Sequence, residues 1–388
     1  MIQRIPFAFI IFFFVTEVSL SQVSMNNSKK LIQDLTFNGS RLNPYDMEKD
    51  SSARIQISGY IDTYFAHYSD TSSFNNFQKF PTTSPRNNAF ALNIAQISAK
   101  YQSENVRGIM TLFWGDVPKC IWSPRYNMIQ EANIGVKLYD KLWLDVGFFR
   151  THMGIESIQP RENMTLSTSV ISYFEPYYLS GAKLSYEFNS KLTLQANIFN
   201  GFNNFIEDNS NKALGLSMVY QANKHLTITV SHLLSEETPG KIKGNKTRLY
   251  NNIFATYKRQ RISIGAEFNY GIQDNTIVNE SRNEAMMYSG LIVAKFRHTY
   301  RWASYVRGEY FSDLNEMLTG PNQLANDIMP GLQIGGFTCG IEFKPIPNSY
   351  IRLEGRGLSS RKNEQIFQLQ ENPSSFRYEF LSGIGLWF

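Results

Sequence analysis

The 388-residue sequence has little of what most protein classes are built on. It holds two cysteines and five histidines, and no His/Cys/Asp group has metal-ligand spacing, so no metal or other cofactor is expected. Cys120 falls in an expected loop and Cys339 in an expected strand, which predicts two free thiols. The net charge of +5 is mild and spread out, which argues against a nucleic-acid partner. Past residue 22 no apolar run approaches the about 20 residues that a membrane-crossing helix needs. With a mean hydropathy of −0.30, two architectures remain. One is a secreted globular protein; the other is a membrane barrel whose apolar residues alternate with polar ones.

What is present favours the barrel. Met1–Arg4 is a short basic start and Ile5–Val15 an apolar core. Ser19-Leu20-Ser21 then places small residues where a signal peptidase reads, so residues 1–21 are expected to be a cleaved export signal. Residues 22–53 are polar and are read as a periplasmic tail. From Arg54 the pattern changes to period two and holds to the end. The expected strands are 54–68, 87–102, 106–115, 129–139, 141–149, 176–188, 190–200, 211–220, 224–235, 246–258, 260–271, 287–297, 299–311, 334–344, 348–359 and 376–388. Their connections alternate short and long. Gln102–Val106, Asp140-Lys141 and Pro345–Asn348 are among the short ones; 69–86, 150–175, 272–286, 312–333 and 360–375 are among the long ones. That sorting is the signature of an all-β, transmembrane, antiparallel up-and-down barrel of about sixteen strands in a Gram-negative outer membrane.

Most strands keep one apolar face. Phe376, Tyr378, Phe380, Ile384, Leu386 and Phe388 share one side of the last strand, with Arg377 and Glu379 on the other. Strand 87–102 breaks phase, from Phe90, Leu92 and Ile94 to Ile97, Ala99 and Tyr101, as a bulge or a misplaced strand boundary would cause. The chain has 29 Phe, 21 Tyr and 5 Trp. Tyr101, Tyr139, Trp143, Tyr186, Phe188, Tyr220, Tyr257, Tyr300, Trp302, Phe343 and Tyr350 all lie near short turns, as an interfacial aromatic girdle requires.

Several short motifs add a resemblance. Gly59-Tyr60-Ile61-Asp62 opens the first strand, and Arg86-Asn87-Asn88 leads into the second. Glu131-Ala132, Gly147-Phe148-Phe149-Arg150-Thr151, Gly154-Ile155-Glu156, Asn163 before a Ser/Thr run, and Gly181 follow in order. Together they resemble the putative β-barrel porin family of outer-membrane proteins, the porin-2 or OmpL-like type. The resemblance implies a porin-like channel without indicating a solute. The final Phe388 looks like the aromatic by which barrel-assembly machinery recognises its clients.

The remaining readings are weaker. An enzyme needs a nucleophile and a base on one face, yet Ser231 and His232 point to opposite faces. A plug-gated transporter needs a folded plug and more strands than these, and only residues 22–53 precede the barrel. A structural or adhesive barrel and a substrate-specific channel stay open as alternatives to passive diffusion of small hydrophilic solutes. The expected partners are outer-membrane lipids and lipopolysaccharide, the assembly machinery, permeating solutes and, by analogy of architecture, two further copies in a homotrimer.

The expected site is a constriction. Residues 150–175 form the third long connection, and Met153-Gly154-Ile155, Ile158, Met164, Leu166 and Val170-Ile171 are too apolar for a solvated tip. The segment is expected to fold into the lumen; the alternative is that it covers the mouth from outside while the arginines pair locally with Glu309, Glu354 and Glu379. Arg150, Glu156, Arg161 and Glu162 would then stand on or beside it. Glu156 and Glu162 are expected to face Arg307, Arg352, Arg356 and Arg377 of the far wall across a narrow aqueous gap. Asp62, Arg107, Glu131, Lys137, Asp145, Lys183, Glu187, Glu267, Arg301, Glu309, Glu342, Glu354 and Glu379 share the lumen phase and are read as a wetted wall of paired charges.

Overall fold

A chain that alternates apolar and polar residues over some three hundred positions can bury its backbone in hydrocarbon only if every strand edge is paired. The computed structural model meets that condition. It describes residues 54–73, 76–80, 82–206, 211–237, 247–274, 284–319, 322–323, 328–329, 331–361 and 364–388. The expected export signal and periplasmic tail lie outside these residues.

Sixteen strands form one closed antiparallel ring. They are β1 (Arg54–Tyr68), β2 (Ala89–Gln102), β3 (Val106–Trp114), β4 (Ile129–Tyr139), β5 (Leu142–Arg150), β6 (Tyr178–Asn189), β7 (Leu192–Phe199) and β8 (Ala213–Gln221). Then come β9 (Leu226–Glu236), β10 (Thr247–Arg259), β11 (Ile262–Asp274), β12 (Glu284–Arg297), β13 (Trp302–Asp313), β14 (Leu332–Phe343), β15 (Ser349–Ser360) and β16 (Phe376–Trp387). Each strand pairs with the next, and β16 returns to β1 with Tyr60 opposite Trp387 and Tyr68 opposite Glu379. Two short hairpins, 322–323 with 328–329 and 367–369 with 372–374, decorate the long connections. A short helix α1 (Asp116–Ile121) sits in the connection from β3 to β4.

The strand boundaries differ from the sequence reading by a few residues, for local reasons. β13 starts at Trp302 because His298 and Trp302 close a tight turn, with Trp302 N–H donating to Thr299 Oγ1 at 3.0 Å. Lys141 and Gln260 take left-handed backbone angles in two of the two-residue turns.

The phase break in β2 is a bulge. Asp62 pairs with Ile94 but Thr63 with Leu92, so Asn93 is the extra residue. Asn93 and Ile94 both turn inward as a result, while Phe90 and Ile97 stay outside. Asn93 then bridges three elements. Its Nδ2 donates to Asp62 Oδ1 at 2.7 Å, and its Oδ1 accepts from Ser84 N–H at 2.7 Å. Gly115 (φ +125°) lies so close that a Cβ there would fall 2.3 Å from the Asn93 carbonyl.

The two faces of the wall separate cleanly. Outside stand Ile55, Phe90, Tyr139, Phe268, Phe337 and Phe380; inside, Arg307, Arg352, Arg377 and Glu379 are almost fully buried. Two members of the expected girdle belong inside instead. Tyr350 is buried and bonds Asp62 and Tyr60, and Trp143 shares the face of Asp145 and lies under Arg107 at 4.4 Å. An aromatic near a turn can serve either face, and only strand parity tells which. Cys120 is half-buried in α1 and Cys339 is exposed on the outer face of β14.

Replacing Asn93 with Ala removes one partner each from Ser84 and Asp62. Unsatisfied buried polar groups cost about 1–3 kcal/mol, so the urea unfolding free energy in micelles should fall by that order. An unchanged midpoint contradicts the bridging role.

Candidate pore constriction

Residues 151–177 join β5 to β6, and their ends are tied where Thr151 N–H donates to the Tyr177 carbonyl at 3.0 Å. The segment contains only a single 3-10 turn at Pro160–Glu162 and a one-turn helix α2 (Val170–Phe174). Its backbone therefore cannot satisfy itself. Gly154 (φ +78°) permits a bend that a side chain would block, since a Cβ there would fall 2.2 Å from Glu175 Oε2. Met153, Ile155, Ile158, Met164, Leu166, Val170 and Ile171 are all buried.

They are buried against the inner wall. Met153, Ile155, Met164, Val170 and Ile171 pack with Phe254 of β10, Leu291 and Val293 of β12 and Phe311 of β13. Ile158 joins a second apolar cluster with Tyr60, Phe113, Trp122, Tyr178 and Phe205, and Leu166 a third with Tyr64, Tyr350 and Leu381. Two wall glycines make room for this packing. A Cβ on Gly265 would meet Ile155 Cδ1 at 2.4 Å, and one on Gly383 would meet Leu166 Cδ1 at 2.7 Å.

Many of the polar contacts run from wall side chains to the segment's backbone. Asn252 accepts from Gly154 N–H at 3.1 Å and Glu267 from Ile155 N–H at 2.6 Å. Glu354 takes the Leu166 and Ser167 N–H groups at 2.6 and 3.0 Å, and Glu309 takes Val170 N–H at 2.7 Å. Arg352 donates to the carbonyls of Pro160, Asn163 and Thr165 at 2.8, 3.0 and 2.6 Å. Arg307 donates to the Ser167 carbonyl at 2.7 Å.

The eight residues singled out from the sequence divide into three groups. Arg307 and Arg352 reach the segment directly, and Glu156 meets Arg307 at 2.7 Å. Between these two lies no aqueous gap, contrary to the expectation. Glu156 also accepts from Ser169 N–H, Ser169 Oγ and Ser172 Oγ, so it organises the segment as well as docking it. Glu162 does not face the far-wall arginines. It pairs with Arg150 at 2.5 Å beside the root of the segment, and Arg161 lies over the Tyr60 ring at 4.6 Å. Burial raises the Glu162 carboxyl, but the charges of Arg150 and Arg161 and the hydrogen bonds from Arg150 and Ser157 together outweigh it and hold Glu162 well below the usual carboxylate range. Arg356 and Arg377 pair within the wall, with Glu309 at 2.8 Å and Glu379 at 2.6 Å.

These wall pairs form a buried chain of alternating charge: Glu156, Arg307, Glu309, Arg356, Glu379, Arg377 and Asp70. Such a chain leaves little net charge to act on a passing ion, and losing one member exposes its neighbours to the full cost of burial. The residues that the sequence reading placed as mere wetted wall, Glu267, Glu309 and Glu354, are the ones that grip the segment. Their inward phase was readable; their backbone partners were not. Asn252, Trp122 and Phe205 carried no signal at all.

The comparisons agree with this architecture. A family model described as "Putative beta-barrel porin-2, OmpL-like" matches residues 54–388. Among curated proteins, no sequence relative matches. Several solved structures share the fold. The outer membrane channel DcaP of Acinetobacter baumannii is similar with a TM-score of 0.59 at 8% identity, over 88% of this chain and 99% of that one. The anion-selective porin from Comamonas acidovorans gives 0.56 at 8%, over 87% and 100%. OmpT, an outer-membrane protein of Vibrio cholerae, gives 0.56 at 11%, over 88% and 99%.

If the segment narrows the lumen, deleting Ile155–Asn163 should raise single-channel conductance. Arg352→Ala should raise it less, and should also destabilise the fold by about 3–5 kcal/mol, as for one partner of a buried ion pair. Unchanged conductance in both variants places the constriction elsewhere.

Proposed function

The chain belongs to the putative beta-barrel porin-2, OmpL-like family, and from that premise we propose that it is an outer-membrane channel for passive diffusion of small hydrophilic solutes. The observation that carries the reading is the closed sixteen-strand ring with an apolar outer face and a charged inner one. A ring of that size leaves room for an aqueous lumen, whereas an eight-stranded one is filled by its own side chains. Family and fold point to a channel rather than an enzyme. Ser231 bonds Ser217 inside the wall while His232 pairs with Asn251 outside it, so that serine and histidine serve the wall itself.

A second reading, the substrate-specific channel, gains support from how much of the lumen residues 151–177 fill. The outer-membrane location follows from the family and from a hydrophobic exterior that suits lipid and lipopolysaccharide. In this reading residues 1–21 direct export and residues 22–53 lie in the periplasm with the short turns. Phe388 is exposed, with its ring over Gly59 and its backbone bonded both ways to it at 3.0 and 3.1 Å. That placement leaves the ring open to assembly machinery from outside the barrel. A homotrimer is consistent with the trimer form of OmpT from Vibrio cholerae.

In planar bilayers the purified protein should give stepwise, ohmic conductance that rises with salt without saturating. Silent insertion of protein whose folding is shown by heat-shifted gel mobility contradicts the channel reading. In intact cells, added protease should cut in long connections such as 314–331 and spare Asp140-Lys141. Cleavage at that short turn from outside inverts the topology.

A further inference from the structure

Between residues 151–177 and the β1–β7 wall lies a chamber of about 120 Å³, roofed by Arg150, Arg161 and Glu162. At roughly 30 Å³ per water, it suits a solute of several heavy atoms. Five basic and three acidic side chains line it. Two pairs cancel: Arg107 bonds Asp145 through Nε at 2.7 Å, and Arg150 bonds Glu162. The lining as a whole carries two more basic than acidic groups, an excess of positive charge in a low-dielectric frame.

Lys183 is the side chain that this excess isolates. It is buried, its Nζ sits over the Phe149 ring at 4.0 Å, and among the described residues no carboxylate lies within ion-pair distance of it. Its strand neighbour Asp145 is taken by Arg107. The amides around it point to a ligand independently of charge. Gln130 is 1% exposed and its Nε2 has no partner, although it faces the chamber wall. Gln96 Oε1 and Gln195 Oε1 are likewise unpaired, while their other amide atoms bond the hydroxyls of Ser98 and Ser185. A hydroxyl accepts or donates, so either glutamine can turn its NH2 inward at no loss.

We propose that this chamber is a binding site for a small organic oxyanion of the carboxylate class, with Lys183 as its charge anchor and Gln130 as a hydrogen-bond donor. The proposal deepens the channel reading and rests on it for its physiological role: permeating anions dwell here. The site itself is tested without current. Calorimetric titration of the detergent-folded protein with sodium malonate should show saturable one-to-one binding. Lys183→Met should weaken it at least about tenfold, as for loss of one charge-assisted hydrogen bond, and Lys183→Arg should retain it. Lys224→Met, in the short turn between β8 and β9, should leave it unchanged. Neutral malonamide of the same shape should bind far more weakly. Absence of malonate binding, equal binding of malonamide, or indifference to Lys183→Met overturns the proposal even if the protein conducts. Binding without conductance leaves the site standing and removes the channel reading.

Discussion

A stretch of chain without regular secondary structure cannot sit inside a barrel unless something answers its backbone, and here the wall does so with charge. Glu267, Glu309 and Glu354 accept the segment's N–H groups, and Arg307 and Arg352 donate to its carbonyls. Charged partners make stronger hydrogen bonds than neutral ones. Arg307 also pairs with Glu309 and Arg352 with Glu342, which offsets part of the cost of burying them. The apolar side chains of the segment then pack where glycines at 265 and 383 leave space. Remove this arrangement and the segment has no reason to stay inside.

The consequence for transport is a division of the lumen. The β10–β16 side is occupied by packing and by paired charges, so its arginines act as fasteners. The β1–β7 side keeps polar space, with an excess of basic groups and one unpartnered amide atom on each of Gln96, Gln130 and Gln195. Under the proposed channel reading, selectivity is expected from the β1–β7 side, where the segment's hold is mainly apolar and polar space remains. The arginine-rich sequence near the C-terminus is an indirect contributor, because it fixes where the segment lies.

The barrel was legible in the sequence because two coarse signals survive without tertiary information. Period-two alternation marks which face of β16 meets lipid, and the sorting of short and long connections marks an up-and-down ring. Even the irregularity at Asn93 showed as a phase break. The constriction was less legible. The inward phase of Glu309 or Glu354 is a matter of counting, but the Leu166 and Val170 amides that they bind are chosen by a fold of the segment that no local pattern encodes. The same holds for Glu162, whose partner Arg150 is closer in sequence than the far-wall arginines that its charge suggested. Tyr350 and Trp143 show the limit from the other direction: proximity to a turn suggested the interface, and parity placed them in the lumen.

The central claim is that wall and segment are held together by specific buried charge, and the pair Arg307–Glu156 tests it most directly. A double-mutant cycle with Arg307→Met and Glu156→Gln, read as unfolding free energies in micelles, isolates their coupling. The account predicts a coupling above about 1 kcal/mol, within the range seen for residues in one network. Additivity of the two substitutions within about 0.5 kcal/mol, the behaviour of independent sites, would contradict it.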